Sequence, residues 1–207
     1  MKNSKFIDGL TSDLKPVEPI SALRNTIVWL SFSLVLIVMM FTMMPVRQFN
    51  QMIKSPMFIV SGLWFLVNSS FLAFAANTVG LPGRANQRSI LIKSFVIYLS
   101  LIGVLLIAAV NIRSPMATEG IECVKGVVML SIFPIAFFYN FLRKLAPTSP
   151  WLAGLLVGLA GSSLGAFGLG FSCSNDDPLH ILVFHFVFPA VMLGGLGLII
   201  SKKILRW

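Results

Sequence analysis

Six apolar stretches dominate this chain: Thr26 to Met44, Met57 to Val79, Ile90 to Val110, Glu122 to Phe141, Trp151 to Phe171 and Leu179 to Ile200. Each has the roughly 20 residues needed to cross a bilayer. They fill most of the 207 positions and leave only short connections, so there is no room for a soluble catalytic domain. None alternates as a membrane β-barrel strand would, and helices are then the remaining way to satisfy backbone groups in lipid. The fold class expected is an all-α membrane protein with six transmembrane helices. Composition agrees. Charged residues make up 11% of the chain, against about 25% in soluble domains, too few to cover a water-facing surface.

The net charge of +9 suggests nucleic acid in a soluble protein. Here topology accounts for it, and no direct nucleic-acid contact is expected. With the N-terminus inside, 12 of the 16 Lys and Arg residues fall on the cytoplasmic side. That bias sets both termini in the cytoplasm. Among the inner basic residues are Arg84, Arg88, Arg143 and Lys144 in the loops. The first apolar run starts late, after a polar tail, and no small-residue cleavage site follows it. It reads as an anchor rather than a cleaved signal.

Residues 1–24 form that tail and 25–207 the membrane domain. In the tail Phe6, Leu10 and Leu14 recur every fourth residue with Ile7 beside them, one stripe of a short helix that Pro16 ends. So short a helix is marginal in water and forms against a partner groove or the membrane surface.

Cys123 and Cys173 are the only cysteines. In this topology both reach the outer surface, where an oxidising compartment permits a disulfide. The short loop from Arg143 to Pro150 makes spans four and five antiparallel neighbours, which brings the two thiols to one end. Three readings stay open: a structural disulfide, two unpaired thiols, or a redox or soft-metal site. For the last, Glu122, Asp176, Asp177 and His180 lie close in sequence and are candidate ligands, with no other cofactor expected. His185 stands alone in span six and reads as hydrogen-bonded structure.

Within the spans, Asn68, Ser69, Ser70 and Asn140 are expected to hydrogen-bond across helices. Gly154, Gly158, Gly161 and Gly165, with Gly194, Gly195 and Gly197, mark close helix packing. Pro134 and Pro189 should kink their helices. No Asp or Glu lies deep in a span, which counts against a charge-coupled transporter. Paired carboxylates, a nucleophile elbow and a phosphate loop are all missing from the sequence, so no enzyme activity is expected. A small membrane transporter or channel-like protein and a membrane thiol–disulfide oxidoreductase are the alternatives.

Four pieces of sequence resemble the NrsF family of bacterial inner-membrane anti-sigma factors. They are Asp13-Leu14-Lys15-Pro16-Val17-Glu18-Pro19; Cys123 followed by Pro134; Leu142-Arg143-Lys144-Leu145-Ala146-Pro147-Thr148-Ser149-Pro150 with the small residues to Gly165-Ala166; and Cys173 followed by acids, with a terminal Leu205-Arg206-Trp207. The chain departs from the family pattern at Phe167 to Phe171 and at Phe184-His185-Phe186. The resemblance implies a protein that holds an extracytoplasmic-function sigma factor at the membrane. It also implies release on an oxidant or heavy-metal signal, with Cys123 and Cys173 as sensors. Phe6, Ile7, Leu10, Asp13, Leu14, Pro16, Val17 and Pro19 would then contact sigma, with Arg84, Arg88, Arg143 and Lys144 beside them.

Overall fold

The computed structural model describes residues 21–43, 46–47, 49–81, 87–112, 120–145, 147, 149 and 150–205. The tail residues expected to meet a partner, and Arg84, lie outside the described residues. Six helices are long and apolar enough to span a membrane. They are α1 (Ala22–Met40), α2 (Pro56–Val79), α3 (Gln87–Ile112), α4 (Ile121–Leu142), α5 (Pro150–Gly170) and α6 (Pro178–Ile204). No strand occurs among the described residues. A single turn, Phe49–Met52, lies between α1 and α2.

Local chemistry starts these helices. Ser21 accepts from the Arg24 amide (3.3 Å) and Ser55 from the Phe58 amide (3.2 Å). Asp177 caps α6 by accepting from the amides of Leu179 (2.9 Å) and His180 (3.1 Å). Such side-chain oxygens satisfy amides that have no partner inside the helix. Pro56, Pro150 and Pro178 occupy first-turn positions, where a missing N–H costs nothing. The Ser21 cap starts α1 four residues ahead of the apolar run beginning at Thr26, because a helix continues past the hydrocarbon as long as its amides are satisfied.

α5 is the centre of the bundle, buried from Ala153 to Leu169 except for partial exposure at Leu155 and Phe167. It packs on α6, α2 and α4. Its small residues are the reason. A Cβ at Gly158 would strike the Leu193 carbonyl, and one at Gly154 the Gly197 carbonyl. The backbones of α5 and α6 therefore approach as closely as glycine alone allows. Around this axis the helices present Val38, Leu63, Ile107 and Val110 outward, a lipid-facing surface.

Polar groups stitch the bundle. Ser69 Oγ donates to the Ala160 carbonyl, Ser131 Oγ to Gly161 and Trp29 Nε1 to Pro134, at 2.9, 2.9 and 2.8 Å. Interhelical bonds of this kind contribute on average about 0.6 kcal/mol in a membrane. Ser70 and Asn140 depart from expectation. Each donates to its own helix, at the Leu66 and Ala136 carbonyls, because neither points at a neighbouring backbone. Asn68 is fully buried, and its amide makes no hydrogen bond.

Residues 181–187 of α6 form a π-helix. Phe188 N donates to the Val183 carbonyl, five residues back. Pro189 follows directly. It has no N–H for the His185 carbonyl, so an unbroken α ladder is unattainable there, and the widened turn lies just N-terminal to it.

A thiol and imidazole cluster at one end of the bundle

Six crossings place residues 41–43, 46–47, 49–55, 120 and 171–177 at one end, opposite Arg88, Arg143, Lys144, Lys202 and Lys203. Cys123 lies in the first turn of α4, where its amide donates to the Gly120 carbonyl (3.0 Å). Gly120 is needed for space, since a Cβ would run into the Phe184 ring. Cys173 follows the C-terminus of α5, its amide bonded to the Leu169 carbonyl (2.9 Å). Both cysteines are free, half-buried thiols with their sulfurs 3.6 Å apart. This is the juxtaposition that the short α4–α5 connection implied.

His180 Nε2 lies 3.7 Å from Cys173 Sγ. His185, the residue read from sequence as structural, joins the group. One ligand atom from each of Cys123, Cys173, His180 and His185 lies within 4.8 Å of every other. On an α-helix, residues five apart point about 140° away from each other. The i→i+5 bonding of the π-helix brings the fifth residue back over the first, and the two imidazoles meet at 5.4 Å between centroids. Both histidines are only 3% exposed, and neither His180 Nδ1 nor His185 Nε2 has a hydrogen-bond partner.

The acidic candidates are engaged elsewhere. Glu122 pairs with Lys125 at 2.6 Å on an exposed face. Asp177 is the cap of α6. Asp176 receives both guanidinium nitrogens of Arg47, at 2.7 and 2.9 Å. The first two engagements are local in sequence, whereas the Arg47 pair joins residues 129 positions apart. Arg47, which the sequence did not single out, also donates to the Cys173 carbonyl (3.0 Å). Its backbone amide donates to Phe171 (2.9 Å). It thereby clamps the loop that carries the second thiol.

Electrostatics follow this geometry. Burial pushes the Asp176 carboxyl up, but hydrogen bonds from Arg47 and Ser55 and the Arg47 charge outweigh it and hold the group below its ordinary value. The Asp176 hydrogen bond raises Arg47 in turn, against the lowering effect of burial. Cys173 is held well below the usual thiol range by the Cys123 hydrogen bond, which outweighs its burial, and then by His185. The end of the bundle thus gathers two thiols and two imidazoles, with Cys173 the more acidic thiol of the pair.

The expected inner-face residues Arg88, Arg143 and Lys144 lie exposed at the opposite end. The fold and the cluster together define a polytopic helical membrane protein with soft donor groups gathered at one end. A family model described as negative regulator of sigma F matches residues 10–207, nearly the whole chain. The chain belongs to this NrsF family, whose members are named for negative regulation of a sigma factor. Comparison with curated proteins and with solved structures gave no match.

Proposed function

We propose that this protein is a bacterial inner-membrane anti-sigma factor that sequesters an extracytoplasmic-function sigma factor at its cytoplasmic face. It releases that factor on a signal received at Cys123 and Cys173. The family match over residues 10–207 carries the reading. The basic end of the bundle supports it, since Arg88, Arg143 and Lys144 are exposed there to meet an acidic protein surface. The tail with its Phe6, Leu10 and Leu14 stripe precedes α1 in the chain and is the sigma-contacting segment.

The signal is a thiophilic metal that replaces the thiol protons, or an oxidant that takes two electrons and two protons and joins the sulfurs. Sulfurs 3.6 Å apart suit either event. Release then requires two helix arrangements with different sigma affinity, and the ligand shifts their populations only by its own differential binding.

Co-purification tests the reading. The full-length tagged protein is co-expressed with the sigma factor encoded beside it, solubilised in mild detergent, and compared with a variant lacking residues 1–20. Sigma should come down with the full-length protein and not with the truncated one. Retention by neither form refutes the proposal and turns attention to flux and thiol-exchange assays. A Cys123→Ser plus Cys173→Ser protein that still releases sigma normally under metal or oxidant refutes the sensor role.

A further inference from the structure

We infer that Cys123, Cys173, His180 and His185 together form a tetrahedral Cys2His2 site for a borderline-to-soft divalent cation of the zinc and cadmium class. The inference deepens the sensor reading above and rests on it for the site's role, though not for its chemistry.

The distances are those of a ligand set. Bond lengths of about 2.3 Å to sulfur and about 2.0–2.1 Å to nitrogen, at tetrahedral angles, separate two sulfurs by about 3.8 Å and a sulfur from a nitrogen by about 3.6 Å. The observed separations are 3.6 Å for Cys123 Sγ to Cys173 Sγ and 3.7 Å for Cys173 Sγ to His180 Nε2. The fourth donor, from His185, is within the same 4.8 Å group.

The histidines supply the second observation. Buried polar nitrogens are normally hydrogen-bonded, yet His185, 97% buried, carries Nε2 with no protein partner, while His180, equally buried, turns Nε2 to Cys173 and leaves Nδ1 without one. The π-helix is what places both rings on the cluster. A regular helix would turn one of them away, and π segments of this kind recur at functional sites.

The donor types select the ion. Glu122, Asp176 and Asp177 are occupied by Lys125, Arg47 and the amides at the start of α6. Two thiolates and two imidazoles remain, a set that favours zinc and cadmium and disfavours magnesium and calcium. Binding replaces the thiol protons, which pass to solvent, and involves no electron transfer.

Cadmium chloride titrated into the purified full-length protein tests this. The protein is held in mild detergent with a non-thiol reductant after chelator treatment. Sulfur-to-cadmium charge-transfer absorption and the cadmium NMR shift are the readouts. One ion per chain is expected, with a shift for two sulfur and two nitrogen donors, and undiminished by excess magnesium. Cys123→Ser or Cys173→Ser should abolish the charge-transfer band of a two-sulfur site. His180→Gln and His185→Gln should each weaken binding by at least the about 10–100-fold that losing a mere hydrogen-bonded neighbour of a ligand costs. Glu122→Gln should not change it. His185→Cys, which keeps a donor in place, should bind one ion with a stronger sulfur band, and it serves where the glutamine variant does not fold. Unchanged affinity in both histidine variants, or no saturable binding by the wild type, overturns the inference. Sigma retention is measured in the same samples. One bound cadmium with sigma still held refutes the metal signal and upholds the ligand set.

Discussion

Replacing Arg47 by alanine should loosen the segment that carries Cys173 without unfolding the bundle. The side chain makes three hydrogen bonds, two to the Asp176 carboxylate and one to the Cys173 carbonyl. Exposed ion pairs contribute about 0.2–1 kcal/mol, whereas breaking a buried pair costs about 3–5 kcal/mol. With side-chain exposures of 11% and 27%, this bidentate pair lies between those limits. We take about 2 kcal/mol, which is roughly a 30-fold change in a local opening equilibrium. The assay is hydrogen exchange read by mass spectrometry. Amides of Ser172 and Cys173, now bonded to the Leu169 carbonyl, should exchange about 30-fold faster in Arg47→Ala. Those in the middle of α5 should keep their rates. Asp176→Ala should show much of the same effect, and the double variant should fall short of the sum by about 1 kcal/mol or more. Unchanged exchange, or strict additivity, would refute the clamp.

The same pair sets a pH dependence. Asp176 is held below its ordinary value, so its stabilisation is complete above the unfolded carboxylate value of about 3.9 and is lost as pH falls through the folded one. Loop protection should be flat from about pH 8 to 5 and decline below about pH 4, and Asp176→Asn should lack that acid limb. Gly158→Leu should force α5 from the Leu193 backbone and cost more than the usual 1–3 kcal/mol of overpacking, read as lost thermal stability in detergent. Gly195→Ala has no neighbour within 4 Å and should raise stability by about 0.5–1 kcal/mol in the same measurement. Ser131→Ala removes the bond to Gly161 and should cost about 0.6 kcal/mol; a cost above about 2 kcal/mol would contradict that average.

Hydropathy alone marked all six helices, because in lipid the length of an apolar run is itself the structural requirement. The glycines of α5 also read correctly, since small residues at helical spacing have one dominant use in a membrane. The thiol pair was legible through the short turn after Lys144, which makes α4 and α5 antiparallel neighbours. His185 was not, for a stated geometrical reason. Helical periodicity of 3.6 sets it on the far side of the helix from His180, and only the π-helix reverses that. Pro189, four residues after His185, was the available sign of a broken ladder. The engagement of Asp176 was hidden for a different reason. Asp176 was claimed by Arg47, which is 129 positions away in sequence, and long-range competition for a charge leaves no local trace.

α6 carries His180 and His185 near one end and Lys202 and Lys203 at the other. Eighteen residues separate His185 from Lys203, about 27 Å at 1.5 Å per residue. A rigid rod of that length is a lever. A tilt of about 5° at the histidine end displaces the lysine end by roughly 2 Å. The close backbone contacts of α6 with α5, at Leu193 beside Gly158 and at Gly197 beside Gly154, lie between those two ends. On the metal-site proposal above, leverage of this kind would carry an ångström-scale adjustment among the four donor atoms to the basic end of α6.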